Sequence, residues 1–150
     1  LNTTGVKGFM FTLPGNFASS DKVQEVYTLL LRDKEFGFSE PTPIQVLYNG
    51  GSGVQLLAYH QTSLMKGNSK DPFTGKVTNR YINSTDYYLK KKNGKVIKLR
   101  RLRDNDIIKA LGKKYKKPLK SFMKDNDLDG RSQKDLAKML AYYDENLAGT

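Results

Sequence analysis

Short apolar runs separated by turn-forming segments occupy the first 60 residues, a pattern that favours an antiparallel β-sheet. The runs at 8–13 and 44–48 are short and rich in aromatic or β-branched side chains. Residues 23–31 have the length of a helix, but their valine and threonine content favours a strand. Residues 54–59 form a further apolar run, so this part of the chain predicts four strands.

A glycine-rich segment, residues 49–53, separates two of these runs. Glycine-rich loops cradle phosphate groups where a helix N-terminus follows them. Here a β-type run follows, and the Gly-Lys-Ser/Thr signature of phosphate-binding loops is missing. The segment is therefore predicted to be a hairpin turn.

Residues 61–84 are polar and carry a strong turn signal at 71–75. A segment of this length without regular structure is uncommon in a compact domain, and such segments are mobile or bind a partner. The sequence predicts a mobile loop near 61–84 and leaves open whether it is a binding loop. Phe73 and Tyr81 either contact that partner or pack into the core and fix the loop.

A second hairpin is predicted over residues 85–101, because Asn93-Gly94 is the preferred pair for a two-residue type I′ turn. That turn places Tyr88 opposite Leu99, and the two side chains then share one face of the hairpin. Leu89 is expected on the opposite face, since side chains alternate along a strand.

Helix-capping signals divide residues 104–150 into three short helices. Asp104 or Asp106 is predicted to cap the first helix, and Gly112 to end it. Pro118 is tolerated in the first turn of the second.

The third helix has a capping box, in which Ser132 is followed three positions later by Asp135. Together these segments predict an α+β fold: an antiparallel sheet of about five or six strands built from hairpins, followed by a small C-terminal helical layer. Because 150 residues is the length of one ordinary domain, we expect a single domain over 1–150, mainly β over 1–103 and helical over 104–150.

Positive charge is concentrated in the C-terminal part of the chain. Residues 1–88 carry 8 basic and 7 acidic side chains, whereas residues 89–150 carry 18 basic and 8 acidic ones. Nearly all of the net charge of +11 therefore belongs to the second segment. The predicted partner-binding surface consists of Lys90, Lys91, Lys92, Lys95, Lys98, Arg100, Arg101, Arg103, Lys113, Lys114, Tyr115, Lys116 and Lys117.

Two interpretations of this basic surface stay open. With Tyr87, Tyr88 and Tyr115 as stacking platforms, it suits a nucleic acid or another polyanion. No RNP, KH or zinc-finger signature accompanies it, and in the other interpretation the charges attract an acidic protein partner or an anionic membrane surface. We favour the second interpretation, a non-enzymatic interaction or structural module.

Residue types that catalysis and cofactor binding require are scarce. Cysteine is absent, which excludes disulfides, thiolate nucleophiles and cysteine-ligated metals. His60 is the single histidine and has no nucleophile motif near it. No catalytic residue and no cofactor is predicted, and a hydrolytic enzyme centred on His60 stays a third hypothesis.

The segment 125–130 resembles the start of an EF-hand calcium loop. Asp125, Asp127 and Asp129 match positions 1, 3 and 5 of that loop, where carboxylates converge on the ion. Position 12 requires a bidentate glutamate and is Leu136 here. We therefore expect an acidic turn between two helices and no metal site.

The C-terminal part of the chain resembles a family of uncharacterised exported bacterial proteins. The resemblance covers roughly residues 44–147 and rests on the sequences YYL, NGKVIKL, DIIKAL, LKSFMK, DLAK and AYYD between residues 87 and 144. The family has no established activity, so the resemblance implies a periplasmic or envelope-associated location rather than a reaction.

The sequence itself contains neither a predicted membrane span nor a signal peptide. No run approaches the ~18 apolar residues of a membrane span, so no transmembrane segment is predicted. The chain begins at Leu1 without a signal peptide, which suits either a processed or a trimmed protein.

Overall fold

The structure is a computed structural model that describes residues 8–13, 23–30, 36–38, 42–67 and 72–148, with side chains from residue 36 onward. Its strands form one antiparallel sheet in which each strand pairs with the next along the chain. The strands are β1 (Gly8–Leu13), β2 (Val23–Leu30), β3 (Thr42–Asn49), β4 (Gln55–Met65), β5 (Arg80–Lys90) and β6 (Val96–Leu99).

Three α-helices follow the sheet: α1 (Asp104–Leu111), α2 (Lys116–Asp125) and α3 (Gln133–Asn146), with a 3-10 turn (Lys113–Tyr115) before α2. The prediction of an α+β fold with an antiparallel sheet and C-terminal helices is therefore confirmed. Side chains are described for four of these strands, β3 to β6. That residues 1–150 form a single domain stays a prediction.

The prediction of a mobile loop over 61–84 is wrong at both ends of that segment. Residues 61–65 belong to β4 and residues 80–84 to β5, and the two strands pair continuously from Gln61–Ser84 to Met65–Arg80. Most of these side chains are exposed, so neither face shows the apolar alternation by which a strand is recognised. Residues 66–79 connect the two strands.

The hairpin of β5 and β6 has a different register from the predicted one. Leu99 pairs with Tyr87, not with Tyr88. The loop contains three residues, because the Lys91 N–H donates to the Lys95 carbonyl at 2.9 Å and Gly94 has a φ of +83°. Asn-Gly suits the end of such a three-residue loop as well as a two-residue turn.

This shift of one residue exchanges the two faces of the hairpin, because side chains alternate along a strand. Leu89 and Leu99 lie on the same face and pack against the helices. Tyr88 lies on the other face, where it packs with Phe36 and Leu57. Leu99 therefore shares its face with Leu89 and not, as predicted, with Tyr88.

One apolar core joins the sheet to all three helices. Its fully buried members come from β4, β5, α1, α2 and α3: Leu56, Leu89, Ile107, Leu119, Leu136, Met139 and Leu140. A second, smaller cluster on the opposite face of the sheet contains Phe36, Ile44, Leu57 and Tyr88.

The capping predictions have mixed outcomes. Ser132 caps α3, since its Oγ accepts a hydrogen bond from the Asp135 N–H at 3.3 Å. The cap predicted for α1 is wrong, because the N-cap position is Arg103 and no side chain caps it. Asp104 is instead the first residue of α1 and forms an ion pair with Lys120 of α2.

The glycine-rich turn between β3 and β4 binds a carboxylate of the chain itself. The Ser52 N–H lies 3.2 Å from both carboxylate oxygens of Asp144 in α3, and the Ser52 hydroxyl also donates to Asp144. A Cβ on Gly50 would lie 2.8 Å from Asp144 Cγ, so only glycine permits this approach. The turn predicted here is confirmed, and it fixes α3 to the sheet.

Asp144→Asn is expected to lower the free energy of unfolding by about 1–3 kcal/mol, since charge-assisted hydrogen bonds contribute on that scale. Urea denaturation followed by circular dichroism measures the change. Asp127→Asn is the matched control, because Asp127 is exposed and asparagine tolerates its φ of 51°. Equal losses in the two variants would show that the Asp144 contacts contribute nothing.

Candidate functional site: a cationic groove between β6 and α1

A cleft of about 430 Å³ lies between the last strand of the sheet and the first helix. Its position follows from the order of the elements, because β6 is the edge strand and α1 begins a few residues after it. The residues that line it are Lys91, Ile97, Lys98, Leu99, Arg100, Asp106, Lys109 and Ala110.

A second cleft of about 200 Å³ continues around the N-terminus of α1. It shares Arg100 and Asp106 with the first cleft and adds Arg101, Arg103 and Asn105 to the lining. We call the two clefts together the cationic groove. Its lining contains six cationic side chains and one carboxylate, so it attracts anions.

The floor of the groove is apolar while its sides are charged. Leu99 is buried and belongs to the main core, and Ile97 and Ala110 pack against or within that core. An apolar floor beneath charged sides accommodates an aliphatic side chain between anionic neighbours. The groove thus favours a ligand that carries both kinds of group.

Two lysines of the groove already form contacts with other groups of the protein. Lys98 Nζ lies 2.7 Å from Asp86 Oδ2, and this hydrogen bond raises the pKa of Lys98. The same amine lies 5.9 Å from the centroid of the Tyr88 ring. Lys91 Nζ donates to the Leu111 carbonyl at 3.4 Å, at the C-terminal end of α1.

The arginines are the available cations. Arg100, Arg101 and Arg103 form no ion pair with any residue that the structure describes. Arg100 and Arg101 are exposed. Guanidinium groups bind carboxylates and phosphates through two parallel hydrogen bonds, so these side chains can orient an anionic ligand as well as attract it.

The structure brings together five of the predicted surface cations, namely Lys91, Lys98, Arg100, Arg101 and Arg103. It does not place the others in this groove. Lys90, Lys92 and Lys95 lie at the end of the β5–β6 hairpin, and the remaining lysines lie in the 3-10 turn and the first turn of α2: Lys113, Lys114, Lys116 and Lys117. The groove therefore contains only part of the predicted basic surface.

Lys109 is a groove residue that was not among the predicted ones. It lies one helical turn after Asp106, and both side chains line the cleft. The signal in the sequence is the helical spacing: residues at i and i+3 share a face, so Asp106 and Lys109 point together away from the core.

The tyrosines predicted to stack on bases contribute to packing instead. Tyr88 is buried, and Tyr87 is half-buried against the main core. The Tyr115 ring meets Tyr143 edge to face, with 4.9 Å between the centroids. All three rings are at least partly buried, so they offer less stacking surface than the nucleic-acid interpretation expected.

The Tyr115–Tyr143 pair also has displaced pKa values. A hydrogen bond with the cationic Lys114 lowers the pKa of Tyr115. Burial, followed by the contact with Tyr115, raises the pKa of Tyr143 to about 12. The Tyr143 hydroxyl therefore remains protonated near neutral pH.

His60 has the surroundings of a surface histidine. Its Nε2 lies 2.7 Å from Gln45 Oε1 and its Nδ1 lies 3.0 Å from Thr85 Oγ1. The ring is exposed, and neither partner is a carboxylate that orients an imidazole base. The geometry lends no support to the hypothesis of a hydrolytic enzyme.

The acidic turn after α2 uses its carboxylates locally. Asp125 accepts from the Ser121 hydroxyl at 3.2 Å, and Asp129 accepts from the Arg131 N–H at 2.9 Å. Within the ranges that the structure describes, no group of three or more metal-ligating side chains is assembled.

In the described part of the chain, no helix has both the length and the apolar composition that crossing a membrane requires. Comparisons with protein-family models, with curated proteins and with solved structures return no match. The resemblance to exported bacterial proteins therefore stays a prediction, and the geometry of the groove is the basis for a proposed function.

Proposed function

We propose that this chain is a non-enzymatic binding module of the bacterial cell envelope that docks an acidic segment of a protein partner in the cationic groove. The observation that carries the proposal is an apolar floor next to an edge strand, combined with three arginines that form no ion pair with a described residue: Arg100, Arg101 and Arg103. The envelope location rests on the sequence resemblance alone.

The edge strand favours an extended ligand. β6 is the last strand of the sheet in the residues that the structure describes, so no described strand pairs with its outer backbone groups. An added peptide strand hydrogen-bonds to such an edge and places alternate side chains on opposite sides. On β6, aliphatic side chains of the peptide face the floor near Ile97 and Leu99, and acidic ones face the arginines.

A peptide suits this site better than a nucleic acid. Nucleic acids need cations spread along the phosphate backbone and exposed rings for stacking. The described structure divides the cations between the groove, the hairpin end and α2, and it packs the tyrosines. A polyanion of the nucleic-acid type remains the alternative that the experiment below separates.

The test uses two fluorescein-labelled probes of equal length: a decapeptide of alternating Glu and Val, and an oligothymidylate. Fluorescence anisotropy at about 150 mM salt measures both affinities. We expect the peptide to bind at least about tenfold more tightly, since only the peptide fills the apolar floor and pairs with β6.

Salt provides the second readout of this titration. Affinity for the oligonucleotide should fall steeply and log-linearly as salt rises, and affinity for the peptide should fall less, because part of its binding is apolar and backbone-mediated. Tighter binding of the oligonucleotide at all salt concentrations would contradict the proposal and favour the polyanion alternative. Cell fractionation of a producing bacterium tests the envelope location separately.

A further inference from the structure

The far end of the β4–β5 hairpin carries all the large apolar side chains that are exposed in the described part of the chain. Their exposed fractions range from 42% for Ile82 to 95% for Phe73. They are Leu64, Met65, Phe73, Val77, Tyr81 and Ile82. Proteins seldom expose such a cluster unless it contacts a partner or a membrane.

This part of the hairpin extends beyond the rest of the sheet. β3 pairs with β4 only as far as Ala58, and β6 pairs with β5 only from Tyr87 onward. Beyond these points, among the residues that the structure describes, β4 and β5 pair only with each other, down to Met65 and Arg80. At about 3.3 Å per residue, this two-stranded segment is roughly 20 Å long. We call it, with the described residues of its connecting loop, the arm.

The apolar side chains lie on both faces of the arm. Leu64 pairs with Tyr81 on one face, while Met65 and Ile82 lie on the other, since cross-strand partners share a face and neighbours alternate. A ribbon that docks on a protein surface needs only one apolar face. A ribbon that carries apolar side chains on both faces suits insertion into an apolar medium that surrounds it.

The arm is also basic. Between residues 61 and 85 the sequence holds Lys66, Lys70, Lys76 and Arg80 against Asp71, a net charge of +3. Lys66, Lys76 and Arg80 are exposed. The positive charge therefore lies in the same segment as the exposed apolar side chains, as it does in segments that bind anionic lipid surfaces.

We propose that the end of the arm inserts into the interface of an anionic membrane. Phe73, Tyr81 and the aliphatic side chains enter the boundary between headgroups and acyl chains, and the lysines and Arg80 contact lipid phosphates. No strand in the described part of the chain pairs with the outer edges of the arm. The backbone groups of these edges need water, so insertion stops at the headgroup boundary.

Charge disfavours a second copy of the chain as the occupant. Two arms would each bring a net charge of +3, on chains that each carry +11. Like charges at an interface oppose association, whereas an anionic bilayer complements them. The proposal does not depend on the cationic groove, because the two sites are at opposite ends of β5.

The chain contains no tryptophan, so Phe73→Trp introduces a single fluorescent reporter at the end of the arm. Vesicles of phosphatidylcholine mixed with phosphatidylglycerol, and vesicles of phosphatidylcholine alone, are titrated against this variant. We expect a blue shift of the emission and quenching by brominated lipids with the anionic vesicles only. No blue shift with anionic vesicles would overturn the proposal.

Charge-matched variants separate the arm from the general positive charge. Lys76→Glu/Arg80→Glu and Arg100→Glu/Lys109→Glu each remove the same net charge, on the arm and in the groove respectively. We expect the arm variant to lower vesicle partitioning about thirtyfold and the groove variant to lower it far less, because lipid attraction decays within a Debye length. Equal losses would contradict insertion through the arm.

Two further measurements complete the test. Met65→Ser/Ile82→Ser, which keeps every charge, is expected to lower partitioning about tenfold, since apolar contacts contribute to interfacial binding. Exposed positions make misfolding of this variant a minor concern, and its circular dichroism spectrum is the check. A blue shift that rises with protein concentration without vesicles, together with a dimer mass in light scattering, would assign the arm to self-association and overturn the proposal.

Discussion

Leu89→Ala is expected to lower the free energy of unfolding by about 3 kcal/mol, as large-to-small substitutions at fully buried positions do. Leu89 is 0% exposed and lies in the core that joins β5 to the three helices. The lost energy combines the transfer of the removed carbons with the cavity that the surrounding side chains leave open. Urea denaturation at constant m-value measures the change.

Leu64→Ala is the matched control for this substitution. It makes the same chemical change on the paired strand β4, where the side chain is 47% exposed. We expect a loss below about 0.5 kcal/mol, the usual range for surface positions. Similar losses at the two positions would mean that Leu89 does not face the helices, and the register of the β5–β6 hairpin would then be wrong.

Arg100→Glu/Lys109→Glu is expected to weaken binding of the Glu/Val decapeptide by about thirtyfold, since each reversal removes an attraction and adds a repulsion of the order of 1 kcal/mol. Both side chains line the cationic groove. Arg100 directly follows β6, and Lys109 lies in α1. Anisotropy titration at fixed salt measures the effect, and thermal unfolding verifies that the fold is retained.

Lys76→Glu/Arg80→Glu provides the charge-matched control for the groove. Arg80 begins β5, and the groove strand β6 pairs with β5 only from Tyr87 to Lys90, so roughly 23 Å of strand separates Arg80 from the groove. This distance exceeds the Debye length of about 8 Å at physiological salt, so we expect less than about a threefold change in peptide affinity. Equal weakening by both variants would show that the peptide responds only to total charge.

Features that depend on neighbouring residues along the chain could be predicted from the sequence. Ser132 caps α3 and Gly112 ends α1, because a cap involves contacts within four residues. The division into an antiparallel sheet and C-terminal helices follows from local periodicity and is confirmed. Helix caps and local periodicity can therefore be recognised from one sequence alone.

The hairpin register was not determined by its turn. Asn93-Gly94 satisfies a two-residue type I′ turn and also the end of a three-residue loop with Gly94 at positive φ. The choice between these two loops depends on which side chains of the hairpin pack against the helices. Contacts between distant parts of the chain decide this, and the turn residues do not. Leu89, not Tyr88, packs against the helices, since Leu89 belongs to the buried cluster that contains Ile107 and Leu136.

The arm was mistaken for a loop for a related reason. Strand signals in sequence come from burying one face, and residues 61–65 and 80–84 bury neither. Backbone hydrogen bonds and polar side-chain pairs hold these two segments together. In one such pair, the Thr62 hydroxyl donates to Asn83 Oδ1 at 2.8 Å. Polar cross-strand pairs have no distinctive spacing along the chain.

Only part of the candidate site could be predicted. The charge excess indicated that a basic surface lay between residues 90 and 120, and the groove lies within that stretch. Which cations are available depends on contacts that the sequence does not show, such as Asp86 engaging Lys98. In the same way, the ligand of the glycine-rich turn is Asp144, 92 positions from Ser52.

The most direct test of the groove as a binding site is an amide chemical-shift map of the ¹⁵N-labelled protein titrated with the Glu/Val decapeptide. We predict that the largest shifts fall at residues 96–101 and 106–110, with slowed amide exchange along β6 as its outer edge becomes paired. Shifts concentrated at 92–95 and 113–117, or spread evenly over all basic positions, would contradict a peptide-binding groove.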